Sequence, residues 1–214
     1  MDLSNDAPKA AVVINLGTID SQRQHHAQVQ TPHEFALTID AVSCSTEIPP
    51  RHFREILSRN LAVSRQLQAT VIVGDPRQLR SRMSILAEQG IRAIVAQPSS
   101  PEAVGSRPLP CGLWKLEPTF WLPQPRRLSG LLPPPRLSVA RLMAVGGTHV
   151  VVIDASAPNR MSARQLQRIE RFLEDLSEVA RRKQISICSV NEIVANLAGL
   201  REVKPQRSIL RVAA

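Results

Sequence analysis

The sequence predicts an α/β protein, a distorted and incomplete (β/α) barrel of mostly parallel strands with helices outside. Three observations predict it. Short β-branched apolar runs alternate along the chain with stretches of helical period. The connections between them are short through the first hundred residues, as strand-helix units require. The composition, 43% hydrophobic and 21% charged over 214 residues, is that of one ordinary globular domain.

Ala11-Val12-Val13-Ile14-Asn15-Leu16 reads as the first strand, and the polar stretch from Ser21 to Pro32 as a loop. Phe35-Ala36-Leu37-Thr38-Ile39-Asp40 is a second strand that ends in a carboxylate. Pro49-Pro50 opens a helix, since proline fits the first turn, where no amide hydrogen bond is needed. From Arg51 to Gln68 the apolar residues Phe53, Ile56, Leu57, Leu61, Val63 and Leu67 fall mostly on one helical face. Ala69 to Val73 is a third strand, stopped by Gly74-Asp75-Pro76. A helix is expected from Pro76 to Gln89 with Gly90 as its C-terminal cap, then a fourth strand from Ile91 to Ala96.

From Pro98 to Pro135 the composition changes. More than half of the 17 prolines and both tryptophans fall there, so no long helix passes through it, and it reads as an insertion. Within it, Cys111 to Leu116 has the look of a short strand. A helix over Leu137 to Val145 is ended by Gly146-Gly147, and His149-Val150-Val151-Val152-Ile153-Asp154 is the plainest strand of the chain. Ser162 opens the longest helix, to about Lys183, with Leu166, Ile169, Phe172, Leu173, Leu176 and Val179 as its buried stripe. A last strand over Ile185 to Val190 and a short helix over Asn191 to Ala198 complete the pattern. The reading divides the chain into an N-terminal strand and polar loop (1–34), an α/β domain (35–198) carrying the Pro-rich insertion (98–135), and a basic tail (199–214).

Composition excludes several functions. No apolar run reaches the roughly 18 residues of a membrane span, and the opening Met1-Asp2-Leu3-Ser4-Asn5-Asp6 is unlike a signal peptide. The expectation is a soluble, cytoplasmic protein that does not engage a membrane. The net charge of +9 is carried almost wholly by scattered arginines, with Arg126-Arg127 and Arg181-Arg182-Lys183 the tightest groups. With no tyrosine and few rings to stack on bases, this reads first as a solvated surface and second as a weak anion-binding hint; an anion- or nucleic-acid-binding module, suggested by charge alone, is the least favoured reading. Three widely spaced cysteines, Cys44, Cys111 and Cys188, indicate reduced thiols. Cys44 lies near His52 in sequence, but reads as a small buried hydrophobe. No histidine or cysteine spacing asks for a metal, and no glycine-rich phosphate loop occurs, so no cofactor is predicted.

Sites of α/β proteins form at the carboxyl ends of parallel strands. Asp40, Asp75, Gln97 and Asp154 fall there. Asp75 reads as a cap for the following helix, whereas for Asp40 and Asp154 capping and acid-base roles both stand open. Trp114 and Trp121 offer flat faces on which a sugar ring stacks, although a tryptophan in such a segment more often pins it to the core.

The order of elements resembles the polysaccharide deacetylase family, the NodB-homology fold. Phe35 to Asp40 is similar to its first motif, A-L-T-F-D-D-G, and Ala69 to Gly74 to its A-T-F-F-V-x-G strand. Leu86 to Gly90 with Ile91 to Ala96 resembles the approach to the metal-binding HxxxH, and Pro110-Cys111-Gly112 the P-Y-G motif. Val151 to Asp154, the long helix and Ile185 to Ile193 are similar to the closing I-L-L-H-D, helix and F-x-T-x-x-E-L segment. The resemblance implies a barrel whose Asp40 stands at the general-base position. It also implies that the ligand positions have become Ala41, Ala96 and Ser100, and that Ile153 replaces the general-acid histidine. A metal there would polarise an acyl carbonyl and activate water. Without its ligands the expectation is a degenerate member without metal-dependent catalysis, retained as a domain that binds a carbohydrate or a protein partner. The alternative is a hydrolase of a glycan or another amide that works through a relocated site using Asp40, Asp154 and His149.

Overall fold

The computed structural model describes residues 7–15, 17, 33–39, 48–65, 70–97, 105–122, 138–155 and 162–202. The strands are β1 (Lys9–Asn15), β2 (Glu34–Thr38), β3 (Val71–Gly74), β4 (Ala93–Ala96), β5 (Arg107–Pro108), β6 (Trp114–Leu116), β7 (Phe120–Leu122), β8 (Thr148–Asp154) and β9 (Ser186–Ile187). The helices are α1 (Pro50–Arg65), α2 (Met83–Glu88), α3 (Val139–Val145), α4 (Ala163–Arg181) and α5 (Val190–Glu202). No helix among the described residues is long and apolar enough to cross a membrane.

The strands form one sheet in the order β5-β6-β4-β3-β2-β1-β8-β7, with β9 paired to β1. Every pairing is parallel except β5 with β6. β6 and β7 are the outermost of the parallel strands in that order, β5 lying beyond β6, yet only Glu117 to Thr119 separate them in the chain. In a flat sheet, six inter-strand steps would place them about 29 Å apart. The link spans at most about 15 Å. The sheet therefore curls towards itself, and the architecture is an α/β half-barrel.

Residue alternation divides the core accordingly. Ala11, Val13, Ala36, Val71, Val73, Ala93, Val95, Trp114, Leu116, Val150 and Val152 form one cluster drawn from six strands, which marks the concave face. Many of these are Ala and Val, small enough for the narrow side of a curl. Helix α5 fills that face through Val190 and Ile193, with Val194, Leu197 and Ala198 alongside. The convex face splits in two. Leu37, Ile72 and Ile94 meet α1 and α2 through Phe53, Leu57, Leu61 and Leu86. Val12, Ile14, Val151 and Ile153 meet α3 and α4 through Leu142, Ile169, Phe172 and Leu176.

Several boundaries differ from the sequence reading for local reasons. The first strand, read as part of an N-terminal strand and polar loop, lies inside the sheet as β1, between β2 and β8. The stretch 98–135 is not simply an insertion, because its described part, 105–122, supplies both edges of the curl. The helix expected from Pro76 begins as a turn. The Asp75 carboxylate accepts a hydrogen bond from the Arg77 backbone amide (2.9 Å), and only after a 3-10 turn at Arg80–Arg82 does α2 start. Gly90 does end α2, at a φ of 84°, with the Ile91 amide returning to the Leu86 carbonyl (3.1 Å). The last strand is two residues instead of six, because Ser189 and Glu192 form a capping pair that turns the chain into α5. The Ser189 amide donates to the Glu192 carboxylate (2.7 Å), and the Glu192 amide donates to Ser189 Oγ (3.2 Å). The reading of Ser21 to Pro32 as a loop lies outside the described residues, as does most of the basic tail.

Candidate functional site: the polar mouth of the half-barrel

At the carboxyl end of the strands the concave face changes from apolar to polar. On β1 the inward positions run Ala11, Val13 and then Asn15, on β2 Ala36 and then Thr38, and on β8 Val150, Val152 and then Asp154. Asp75 and Gln97 stand just beyond β3 and β4. β1 and β8 are in register at Asn15 and Asp154, Thr38 lies one inward step beyond that row on β2, and Asp75 and Gln97 lie two inward steps beyond it.

Asn15 organises this mouth. It is 2% exposed, and its Oδ1 accepts from the Gly17 backbone amide (3.1 Å) and from Thr38 Oγ1 (2.8 Å). A backbone N–H only donates, so the atom facing it is the carbonyl oxygen and the amide orientation is fixed. Its Nδ2 is thereby directed at Asp154 Oδ1, 3.1 Å away. The backbone holds the same corner. The Thr38 amide donates to the Gly17 carbonyl (3.1 Å) and the Ala155 amide to the Asn15 carbonyl (2.9 Å). Gly17 has a φ of 83°, which a side chain would resist, so glycine suits this position.

The other candidates are dispersed. Asp40, Cys44 and Ser100 lie outside the described residues. Ala96 is wholly buried, and Ile153 points into the convex core. Trp114 is part of the concave core and Trp121 packs half-buried against it, so both rings fill the interior. His52 is exposed on α1, 3.8 Å from Glu55. His149 lies five residues from Asp154 on the same strand, hence on the opposite face. It is buried against the β6–β7 link, with Nδ1 3.4 Å from Thr119 Oγ1. Burial holds its pKa below the ordinary value, against the opposing pull of the Leu142 and Gly146 carbonyls at the end of α3. β8 therefore does not bring His149 and Asp154 together, and Asp40, the third residue of that set, lies outside the described residues. Among the described residues, no group of three or more His, Cys, Asp or Glu side chains is placed to hold a metal ion.

Sequence reading had missed Asn15 and Thr38. The signal for Asn15 was the one used for Asp40 and Asp154, a polar residue closing an apolar strand, but the first strand had been carried on to Leu16. Arg82 was missed as well. It is 4% exposed, donates from Nη2 to the Ile48 carbonyl and lies over the Phe53 ring at 5.2 Å, fastening the turn after β3 to the start of α1. No family model, curated protein or solved structure matches this chain.

Proposed function

We propose that the chain is a binding or regulatory domain related to carbohydrate recognition, deacetylase-like in outline and without metal-dependent catalysis, whose ligand sits at the polar mouth. The observation that supports this most is the hydrogen-bonded trio of Asp154, Asn15 and Thr38 at the carboxyl ends of three adjacent strands. Amide, hydroxyl and carboxylate groups over an apolar layer suit a ligand with many hydroxyl groups and apolar ring faces. A hydrolase needs a group that activates water, and His149, the histidine nearest to Asp154 in sequence, faces the other side of its strand. That geometry favours binding over the relocated-site hydrolase.

Calorimetric titration of the purified protein with neutral oligosaccharides, beside elemental analysis, tests the proposal. The expected result is saturable binding that Asp154→Ala removes, with no stoichiometric zinc and no release of acetate from acetylated substrates. About one metal per chain, with a deacetylase activity lost on chelation, would overturn it.

A further inference from the structure

We propose that His149 is a pH-sensitive clasp on the strap that closes the curl: neutral, it holds the Glu117–Thr119 link against β8, and protonated, it lets the link go. This device lies at the start of β8, away from the polar mouth, and does not depend on the binding reading above.

The placement of the ring carries the inference. The link joins the outermost parallel strands, so it bridges the seam of the half-barrel. It is held to β8 at Thr119, whose amide donates to the Val150 carbonyl (2.8 Å) and whose Oγ1 accepts from the Val150 amide (3.4 Å). His149, the preceding residue and 3% exposed, completes the contact with Nδ1 3.4 Å from the same Oγ1. The Thr119 hydroxyl has one hydrogen to give, and a ring nitrogen that carries none receives it. Protonation puts a hydrogen on both ring nitrogens. The hydroxyl then has to turn its hydrogen away, and a charge stands in a site kept from water. Burial accordingly holds the ring's pKa below its ordinary value, and the Leu142 and Gly146 carbonyls at the end of α3 pull the other way without outweighing it. The charged side chains of the neighbouring elements are engaged elsewhere or exposed. Glu117 accepts from the Gly105 amide, Lys9 of β1 donates to Asn196, Arg141 of α3 is exposed, and Glu178 of α4 is paired with Arg181 and Arg182. Glu117 and Thr119 are exposed and Pro118 half-buried, so the link can lift and admit water while Leu116 and Phe120 stay in the core.

Native-state amide exchange of the full chain, followed by NMR and expressed as protection factors, tests this. The titration of the His149 ring is read in the same samples. Between about pH 7.5 and about pH 5.0 the protection of the Thr119 and Val150 amides is expected to fall about ten-fold, because a ring released to water takes its proton at an ordinary pKa of about 6.5. The Arg92 amide, bonded to the Thr70 carbonyl (2.8 Å) away from the seam, is expected to keep its protection. His149→Gln fills the site without titrating and is expected to show no fall. Unchanged protection of Thr119 and Val150 at the lower pH would overturn the clasp. A fall shared by Arg92 would mean general loosening and overturn it too, as would an equal fall in His149→Gln. If that variant does not fold, the parent decides. Its fall must begin at about pH 6.5 and stop once the folded ring has taken its proton, and a fall that continues below that point would overturn the proposal.

Discussion

Glu34, at the start of β2, accepts a 2.7 Å hydrogen bond from the backbone amide of Val190, the first residue of α5, across 156 positions of sequence. Its second carboxylate oxygen takes the Thr70 hydroxyl at 3.1 Å. A negative group at a helix start satisfies an amide that the helix leaves unpaired and complements the helix dipole. One side chain therefore ties β2, β3 and the helix that fills the concave face. Lys9 adds a second tie, donating from Nζ to Asn196 Oδ1 at 3.1 Å. Glu34→Ala is expected to lower stability by about 1–2 kcal/mol through the orphaned amide, and Glu34→Gln by less, since its carbonyl oxygen still accepts. Denaturant melts of the two variants check this; equal losses would show that the hydrogen bond is not the cause.

His149 makes stability depend on acidity. Burial lowers its pKa in the folded chain, so the unfolded chain binds the proton more readily. Stability contributed by the neutral imidazole is complete above the unfolded value of about 6.5 and falls as pH drops from there towards the lower folded value. His149→Leu is expected to flatten this part of the stability-pH curve. Melts from neutral to mildly acidic pH provide the measurement, and an unchanged slope in the variant would count against the assignment.

The two described cysteines are expected to differ in reactivity. Cys188 is half-buried, and burial, with lesser help from the Glu192 and Glu34 carboxylates, pushes its thiol up to about 11 despite the opposing Lys9. Nearly all of it is protonated at neutral pH, and the thiol is a poor nucleophile in that form. Cys111 is exposed. Brief alkylation followed by peptide mass mapping is expected to label Cys111 well before Cys188; the reverse order would contradict the burial argument.

The strands with continuous apolar runs were legible in sequence, because a parallel strand covered on both faces needs such residues throughout. Val71 to Val73 and Val150 to Ile153 show this directly. Ser162 was legible as a helix start, and it forms a reciprocal capping pair with Gln165. Of the two outermost parallel strands, Trp114–Leu116 was legible inside the apolar piece Cys111 to Leu116, and Phe120–Leu122 was not. What makes the latter three residues a strand is the pairing with β8, which local sequence does not encode. The mouth was half legible for the same reason. A polar residue closing each strand can be read, but that Asn15 meets Asp154 depends on β8 returning beside β1 after more than a hundred residues.

That return also yields the last prediction. A chain starting at residue 35 would keep β3 to β9 and all five helices, yet it would lack β1. Along its length β1 pairs with β2, β8 and β9, and it places Ala11 and Val13 in the concave core and Ala10, Val12 and Ile14 in the convex core. Removing it leaves the facing edges of β2 and β8 unpaired in the middle of the sheet and withdraws side chains worth roughly 1.5–3 kcal/mol each for Val and Ile. Set against a net stability of about 5–15 kcal/mol, the loss is not survivable. Residues 35–214 are therefore expected to lack a cooperative melt, with exposed apolar surface shown by dye binding. A single change makes the same point without truncation. Val13, fully buried at the sheet centre, becomes an unpaired buried carboxylate in Val13→Asp, which is expected to unfold the chain, whereas Val13→Ala is expected to cost about 1–3 kcal/mol and stay folded. A cooperative melt from residues 35–214 close to that of the parent would show that β1 is an accessory strand and not the centre of the sheet.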